Sequence, residues 1–359
     1  MDYTIYGVVI VGRMVYPNGA VAVEGGRIVY SGDRSDAPVI GQVTDFGKSI
    51  IVPGFIDIHC HAGGDKWFYE DPVFCANFHL SHGSTSMCAT LYRDMSIEET
   101  VKAIADIKAA MTECKNIIGV HLEGPYLNPK YGSMVQEDNV VADPEDYMKL
   151  FCDDTVVHVS FAPEVEGTDE LLRVLNEKGI VPAIGHSVAS YEQVRKAVDG
   201  GVKNVTHLFD ATGAAISPTR WDGTIEVDFN AACLLCDGIT YEIICDKDGV
   251  HVRPEMVRLA AKTVGIENLI GITDACADGE EGSDVNIVDG ELTGSKLTMN
   301  KVFKNFIDVG FSVNDAVMFT SSNAARLMGL SDRGSLEPGK KADIVVMDNK
   351  CDIIKVYKA

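Results

Sequence analysis

Residues 53–61 read Pro53-Gly54-Phe55-Ile56-Asp57-Ile58-His59-Cys60-His61. The apolar part of this stretch predicts a buried β-strand that ends in a pair of histidines. Side chains two apart in a strand point to the same side, so His59 and His61 share one face and Cys60 lies on the other. Two imidazoles side by side at the end of a buried strand form half of a metal site.

Outward from this strand, strand-like apolar runs alternate with helical patterns. The predicted strands span residues 50–58, 84–90, 117–121, 156–161, 180–184, 203–206, 241–245 and 269–273. The predicted helices span residues 71–81, 97–114, 144–152, 169–177, 191–199 and 254–263, with two more at 301–309 and 313–328. Eight strands alternating with helices are typical of a parallel barrel. We therefore predict an α/β fold with a (β/α)8 TIM-like barrel over residues 50–334.

Both ends of the chain read as short strands separated by turns. The N-terminal segment predicts strands at 3–11, 14–16, 21–24 and 27–31, with turns at Asn18-Gly19 and Gly25-Gly26. The C-terminal segment predicts strands at 342–348 and 353–357. Because the two ends match in character, we expect residues 1–49 and 335–359 to form one small β-sandwich domain, with an antiparallel sheet at its N-terminal part.

Composition excludes several classes of protein. The net charge of -22 over 359 residues repels phosphate backbones and argues against nucleic-acid binding. No apolar run reaches the ~18 residues of a membrane span, and the first residues lack the features of a signal peptide. Most of the ten cysteines fall in apolar patterns without paired spacing, which indicates reduced thiols and a cytoplasmic protein.

Titratable side chains follow six of the predicted strands. They are His59 and His61, His121 and Glu123, His186, His207, and Asp274, with His251 just past the seventh strand. A lone histidine at a strand end is more often a hydrogen-bonded loop residue, but this many on one rim of a barrel are difficult to dismiss. Barrel enzymes place their chemistry at that rim. Nitrogen and oxygen donors there suit Zn²⁺ or Fe²⁺, whereas His79, His82 and His158 fit structural roles better.

These motifs together resemble the amidohydrolase superfamily and, within it, the N-acetylglucosamine-6-phosphate deacetylases. The resemblance covers nearly the whole chain. Its motifs are P-G-F-I-D-I-H-C-H at 53–61, H-L-E-G-P-Y-L-N-P at 121–129, G-H-S at 185–187, T-H-L-F at 206–209, D-G-V-H-V at 248–252, T-D-A at 273–275, G-S-K-L-T-M at 294–299 and G-S-L-E-P-G-K-K-A-D at 334–343.

The resemblance implies a set of metal ligands. Glu123, His186 and His207 would hold the main metal, with Glu123 in the place of the carboxylated lysine found in many relatives. His59 and His61 match positions that hold a second metal in some members of the family. One or two divalent ions per subunit, and a homodimer, are therefore expected.

The resemblance also implies the reaction. Asp274 matches the catalytic acid/base, and His251 matches a residue that contacts the substrate. A divalent metal lowers the pKa of its water to about 7, so a metal-bound hydroxide would attack an amide while Asp274 moves the proton to the departing amine. The expected activity is removal of the acetyl group from an N-acetylated amino sugar, most directly N-acetylglucosamine 6-phosphate.

The substrate side departs from the family pattern. Asp210-Ala211-Thr212 stands where relatives have Asn-Ala, and Arg220 is the nearest candidate for the arginine that reaches the sugar phosphate, with Lys247 and Arg253 as further cations. A carboxylate facing a phosphate costs affinity. An amidohydrolase for an unphosphorylated N-acyl compound or a cyclic amide is therefore an alternative. A barrel that lacks activity and serves as a binding protein is a third.

Overall fold

The computed structural model describes residues 2–92, 95–131, 140–213, 221–277, 284–288 and 290–359. Its eighteen strands are β1 (Tyr3–Val11), β2 (Met14–Glu24), β3 (Arg27–Asp33), β4 (Gln42–Pro53), β5 (Phe55–Cys60), β6 (Ala62–Gly63), β7 (Lys66–Trp67), β8 (Ser84–Tyr92), β9 (Ile117–Glu123), β10 (Val156–Phe161), β11 (Val181–Ile184), β12 (Asn204–Val205), β13 (Thr240–Ile244), β14 (Leu269–Ile272), β15 (Val285–Val288), β16 (Glu291–Ser295), β17 (Ile344–Met347) and β18 (Ile353–Tyr357).

The described residues also form ten α-helices. They are α1 (Pro72–Ser81), α2 (Ile97–Ala110), α3 (Pro144–Leu150), α4 (Thr168–Lys178), α5 (Tyr191–Asp199), α6 (Phe229–Leu234), α7 (Pro254–Val264), α8 (Met299–Val309), α9 (Val313–Val317) and α10 (Asn323–Leu327). A π-helical turn, Met318–Ser322, joins the last two, so the helix predicted over 313–328 is one run with a bulge. Within the described residues, no helix is both long and apolar enough to cross a membrane.

Eight parallel strands form the barrel in the order β5-β8-β9-β10-β11-β12-β13-β14. The two outer strands meet at the site end, where the backbone N of Asp274 donates to His59 O at 2.9 Å. The helices between the strands pack on the outside, and two of them begin at the capping boxes of Ser96 with Glu99 and Ser190 with Gln193. The predicted fold class is confirmed.

A separate six-stranded sheet has the order β18-β17-β4-β1-β2-β3 and takes strands from both ends of the chain. Most neighbours are antiparallel, but β1 and β4 are parallel. The turn at Gly25-Gly26 is confirmed between β2 and β3, whereas the turn predicted at Asn18-Gly19 is wrong because both residues lie inside β2. Gly19 serves close strand packing there, since an added Cβ would lie 2.7 Å from Val9 Cβ.

The strand predicted over residues 50–58 is two strands. β4 ends at Pro53 in the six-stranded sheet, and β5 begins at Phe55 in the barrel. Gly54 makes the junction, where its N donates to Asp343 O at 2.8 Å. An added Cβ at Gly54 would lie 2.6 Å from Thr85 Cγ2, so only glycine fits. The quoted stretch therefore joins the two sheets before it delivers its histidines to the barrel mouth.

Candidate metal centre

The carboxyl ends of the barrel strands bring six predicted side chains together. His59 and His61 come from β5 and the residue after it, Glu123 ends β9, and the others follow β11, β12 and β14: His186, His207 and Asp274. Each of the six is at most 9 % exposed. The set was found from the sequence because strand ends of a parallel barrel converge.

Three of these residues have left-handed backbone. The φ angles are 49° at His186, 23° at His207 and 48° at Asp274. Such conformations cost on the order of 1–3 kcal/mol each for residues other than glycine and cluster at functional sites. Here all three lie two residues past the end of a barrel strand, where the chain turns and the side chains meet at the mouth.

Glu123 lies at the centre of the cluster. Its Oε1 is 2.8 Å from His186 Nε2 and 2.9 Å from His207 Nε2, and its Oε2 is 3.1 Å from His61 Nε2. His59 Nε2 lies 3.3 Å from Oε1. One carboxylate therefore contacts four imidazole nitrogens and belongs to two donor groups.

Those two groups have the composition of metal sites. The first is Glu123, His186 and His207; the second is Glu123, His59, His61 and Asp274. The Nε2 atoms of His186 and His207 are 3.0 Å apart, and those of His59 and His61 are 3.2 Å apart. Donors bound at ~2.0–2.1 Å around a tetrahedral ion are separated by ~3.3 Å, so these spacings suit a shared divalent cation.

The outer nitrogens of three of these histidines fix which nitrogen faces the centre. His59 Nδ1 donates to Glu242 Oε2 at 3.0 Å, His186 Nδ1 to Tyr131 O at 3.2 Å, and His207 Nδ1 to Asp210 O at 3.2 Å. With the proton on Nδ1, the Nε2 lone pair points into the cluster as a ligand requires. His61 Nδ1 has no partner among the described residues.

Burial and neighbouring charges shift the pKa values within the cluster in opposite directions. Burial raises the pKa of Asp274, but His59 and His61 outweigh it and hold that pKa below the usual range. Glu123 follows the same pattern, with His59 and His186 lowering its pKa well below normal. Burial lowers the pKa of His207, yet the hydrogen bond and charge of Glu123 raise it to about 9. A carboxylate-rich centre of this kind attracts cations.

Glu242 is the residue that sequence reasoning missed. It lies in β13 with no exposed surface, and its Oε1 accepts from Asn204 Nδ2 at 2.6 Å. Burial raises its pKa, but the hydrogen bond and charge of His59 leave it lowered. The signal was present, because a glutamate between Tyr241 and Ile243 interrupts an apolar strand and buried charges need partners.

The remaining histidines lie outside the cluster. His121, predicted on the rim, is one layer deeper in β9 than Glu123, and it bonds Ser160 Oγ at 2.9 Å and stacks on His158 with ring centroids 4.1 Å apart. Its placement on the rim was therefore wrong, because side chains two apart on one face lie ~6.6 Å apart along the strand. His79 and His82 bond the carbonyls of Ala62 and Phe78, in keeping with structural roles.

His251, which was predicted to contact the substrate, is buried and follows β13. Its Nδ1 is 3.2 Å from Asp246 Oδ2 and its Nε2 is 3.0 Å from Gly294 O. Both partners are oxygen acceptors, so this environment favours the protonated imidazolium form. Burial lowers its pKa, but Asp246, Asp210 and Asp274 leave it raised.

Of the other predicted substrate residues, the structure describes Asp210 and Ala211. Burial raises the pKa of Asp210, which lies near His207 and His251, and Ala211 follows it with a φ of 45°. Arg220 lies outside the described residues.

An aromatic wall that the sequence did not indicate flanks the centre, where Trp67 and Tyr92 place their rings 6.4 and 5.9 Å from the ring of His61.

Comparison with known proteins gives consistent matches. The amidohydrolase family matches residues 50–359. N-acetylglucosamine-6-phosphate deacetylase of Bacillus subtilis (strain 168) is 29% identical over 377 residues, covering 95% of this chain and 91% of that protein. The protein of the same name from Rattus norvegicus is 30% identical over 378 residues, covering 93% and 89%. A Mycobacterium smegmatis N-acetyl-D-glucosamine-6-phosphate deacetylase structure, in complex with N-acetyl-D-glucosamine-6-phosphate, has a TM-score of 0.88 at 28% identity, covering 99% of this chain and 98% of that one.

Proposed function

This chain belongs to the amidohydrolase family, and from that premise we propose that it removes the acetyl group from an N-acetylated amino sugar. N-acetylglucosamine 6-phosphate is the first candidate, because the Bacillus and rat relatives are deacetylases of that compound by name. The observation that carries the proposal is the centre around Glu123. Its carboxylate reaches four imidazole Nε2 atoms within 3.3 Å, and Asp274 is within 3.3 Å of two of them.

We assign the two donor groups to one or two divalent ions. Glu123, His186 and His207 hold the main ion, and His59 and His61 complete a second position with Glu123. Zn²⁺ and Fe²⁺ both suit nitrogen and oxygen donors with open positions. When bound, the ion supplies a nucleophile at neutral pH by lowering the pKa of water.

Asp274 is the proposed catalytic acid/base. Its Oδ1 is 3.3 Å from His59 Nε2 and 3.2 Å from His61 Nε2, so it faces the space where the nucleophile and the amide meet. Its lowered pKa keeps it ionised at neutral pH, which is the form that a general base needs. Passing that proton to the amide nitrogen makes the amine a better leaving group.

Residues on the substrate side orient the amide and the sugar. His251 lies near Asp210 and Asp274 and would help to stabilise the oxyanion of the tetrahedral intermediate. We place Asp210 and Ala211 beside the sugar, with Arg220 as the candidate partner of a phosphate group. The free state of all ten cysteines suits a cytoplasmic enzyme, and the family resemblance supports a homodimer.

A second candidate substrate is favoured by Asp210. Its half-buried carboxyl group lies near His207 and His251, and an ionised carboxylate there repels a phosphate. An unphosphorylated N-acyl compound would avoid that repulsion. The two candidates share the centre and the mechanism and differ only in what the far end of the substrate carries.

A matched pair of substrates tests the proposal. Acetate release is followed for N-acetylglucosamine with and without the 6-phosphate, at equal concentrations and with added Zn²⁺. A kcat/KM at least 10-fold higher for the phosphorylated sugar supports the first candidate. Equal rates favour the unphosphorylated alternative, and no release from either sugar contradicts the deacetylase proposal.

A further inference from the structure

Glu242 is a buried carboxylate directly behind the metal centre. It lies in β13 and has no exposed surface. His59 Nδ1 donates to its Oε2 at 3.0 Å, and the backbone N of His207 donates to the same oxygen at 3.3 Å. Asn204 Nδ2 donates to Oε1 at 2.6 Å. One side chain therefore contacts a histidine from each of the two donor groups.

A charge with no exposed surface is expensive unless every oxygen is paired. The donors come from two separate strands: His59 lies in β5, and Asn204 and His207 lie in β12 and just past its end. Asn204 is itself fixed, because Thr240 Oγ1 donates to its Oδ1 at 2.8 Å. Both oxygens of the Glu242 carboxylate therefore accept hydrogen bonds inside the barrel. This arrangement indicates a role that an apolar residue could not fill.

We propose that Glu242 is a positioning residue that orients His59 as a ligand and so controls the second metal position. This role rests on the metal centre of the proposed function. Accepting the Nδ1 proton fixes the tautomer with Nε2 free, sets the ring plane and raises the basicity of Nε2.

Loss of the Glu242 carboxylate should affect the two metal positions to different extents. Glu242 contacts the ring of His59 but only the backbone of His207, whose ring is oriented by the carbonyl of Asp210 at 3.2 Å. His186 is oriented by Tyr131 O and does not depend on Glu242. Loss of the carboxylate therefore weakens the position of His59 and His61 and leaves that of Glu123, His186 and His207 largely intact.

Glu242→Gln tests this role with little change in size. The amide NH₂ replaces either Oε1, which loses the contact from Asn204, or Oε2, which loses those from His59 and His207, and in both cases the negative charge behind His59 is lost. Zn²⁺ binding to the chelator-stripped protein is measured by isothermal titration, with ion content checked by elemental analysis. We expect two ions in the wild-type protein and a 10–100-fold weaker second ion in the variant, the usual effect of removing an outer partner of a ligand.

Ile243→Val is the matched control. It lies next to Glu242 in β13 but points to the opposite side of the strand, so it lowers stability without touching a ligand. It should bind both ions like the wild-type protein. Wild-type binding of both ions by Glu242→Gln overturns the positioning role alone. Fewer than two ions in the wild-type protein also overturns it, and no ion at all overturns the proposed function as well.

A second measurement does not require the variant to fold. In ¹⁵N-histidine NMR of the Zn²⁺-loaded wild-type protein, His59 should carry its proton on Nδ1, protected from exchange with water. Assignment uses the signal lost in His59→Gln. A proton on Nε2, or rapid exchange at Nδ1, contradicts the role.

Discussion

Replacing Asp274 by asparagine removes the proposed acid/base while keeping its shape. The backbone N of Asp274 still donates to His59 O at 2.9 Å, and the amide oxygen can still face His59 and His61, which lie at 3.3 and 3.2 Å. What is lost is the ability to take and return a proton. The substitution therefore separates proton transfer from the positioning of the backbone.

The expected loss follows from that single function. General acid–base catalysis contributes about 10²–10⁴-fold, which corresponds to about 2.7–5.4 kcal/mol of transition-state stabilisation. Because Glu123, His186 and His207 are unchanged, the main ion should remain bound. We expect kcat to fall by that factor, with KM changed much less.

Acetate release under saturating Zn²⁺ measures the fall in kcat, and elemental analysis measures whether the main ion stays bound. The matched control is Asp237→Asn, an exposed aspartate in the described part of the chain, which should leave kcat and ion content unchanged. If Asp274→Asn keeps kcat within threefold of the wild-type value, the proton shuttle is assigned to the wrong residue. If it loses every ion, Asp274 acts mainly as a ligand.

Three further outcomes follow from the geometry. Gly54→Ala should destabilise the protein by about 1–3 kcal/mol in urea unfolding, because its Cβ would lie 2.6 Å from Thr85 Cγ2; unchanged stability would mean that the junction between the sheets can relax. His61→Asn and His207→Asn should each bind one ion fewer, but only His207→Asn loses the main ion and should therefore lose acetate release; equal acetate release by the two variants would contradict the two-group assignment. In chelator-treated protein, the His207 pKa raised to about 9 contributes stability that is complete below its unfolded value of ~6.5 and lost as the pH rises through 9. We expect the free energy of unfolding to lose about 3 kcal/mol from this group between pH 6 and pH 9.5. Urea unfolding at these two pH values measures the loss, and equal stability at both would contradict it.

Strand ends were the most predictable part of the molecule. Apolar runs in the sequence located the barrel strands, and the parallel topology then required His59, His61, Glu123, His186, His207 and Asp274 to meet. Depth along a strand was harder to predict. His121 shares a face with Glu123, yet it lies one layer below and bonds Ser160 instead.

Contacts between distant strands could not be predicted in the same way. The role of Gly19 depends on Val9 across the sheet, so the local Asn-Gly pattern wrongly indicated a turn. The partners of Glu242 come from two segments far apart in the sequence, around residue 59 and at 204–207, and only the fold brings them to Glu242. An unexplained charge in a strand pattern was the one available signal.

Metal dependence of acetate release tests most directly whether the cluster around Glu123 is a catalytic metal centre. Purified protein is stripped with a chelator, assayed with N-acetylglucosamine 6-phosphate, and assayed again after Zn²⁺ or Fe²⁺ is restored. Acetate release should stop on stripping and return when about one or two ions are bound per chain. Release that continues at the same rate in the stripped protein would contradict it.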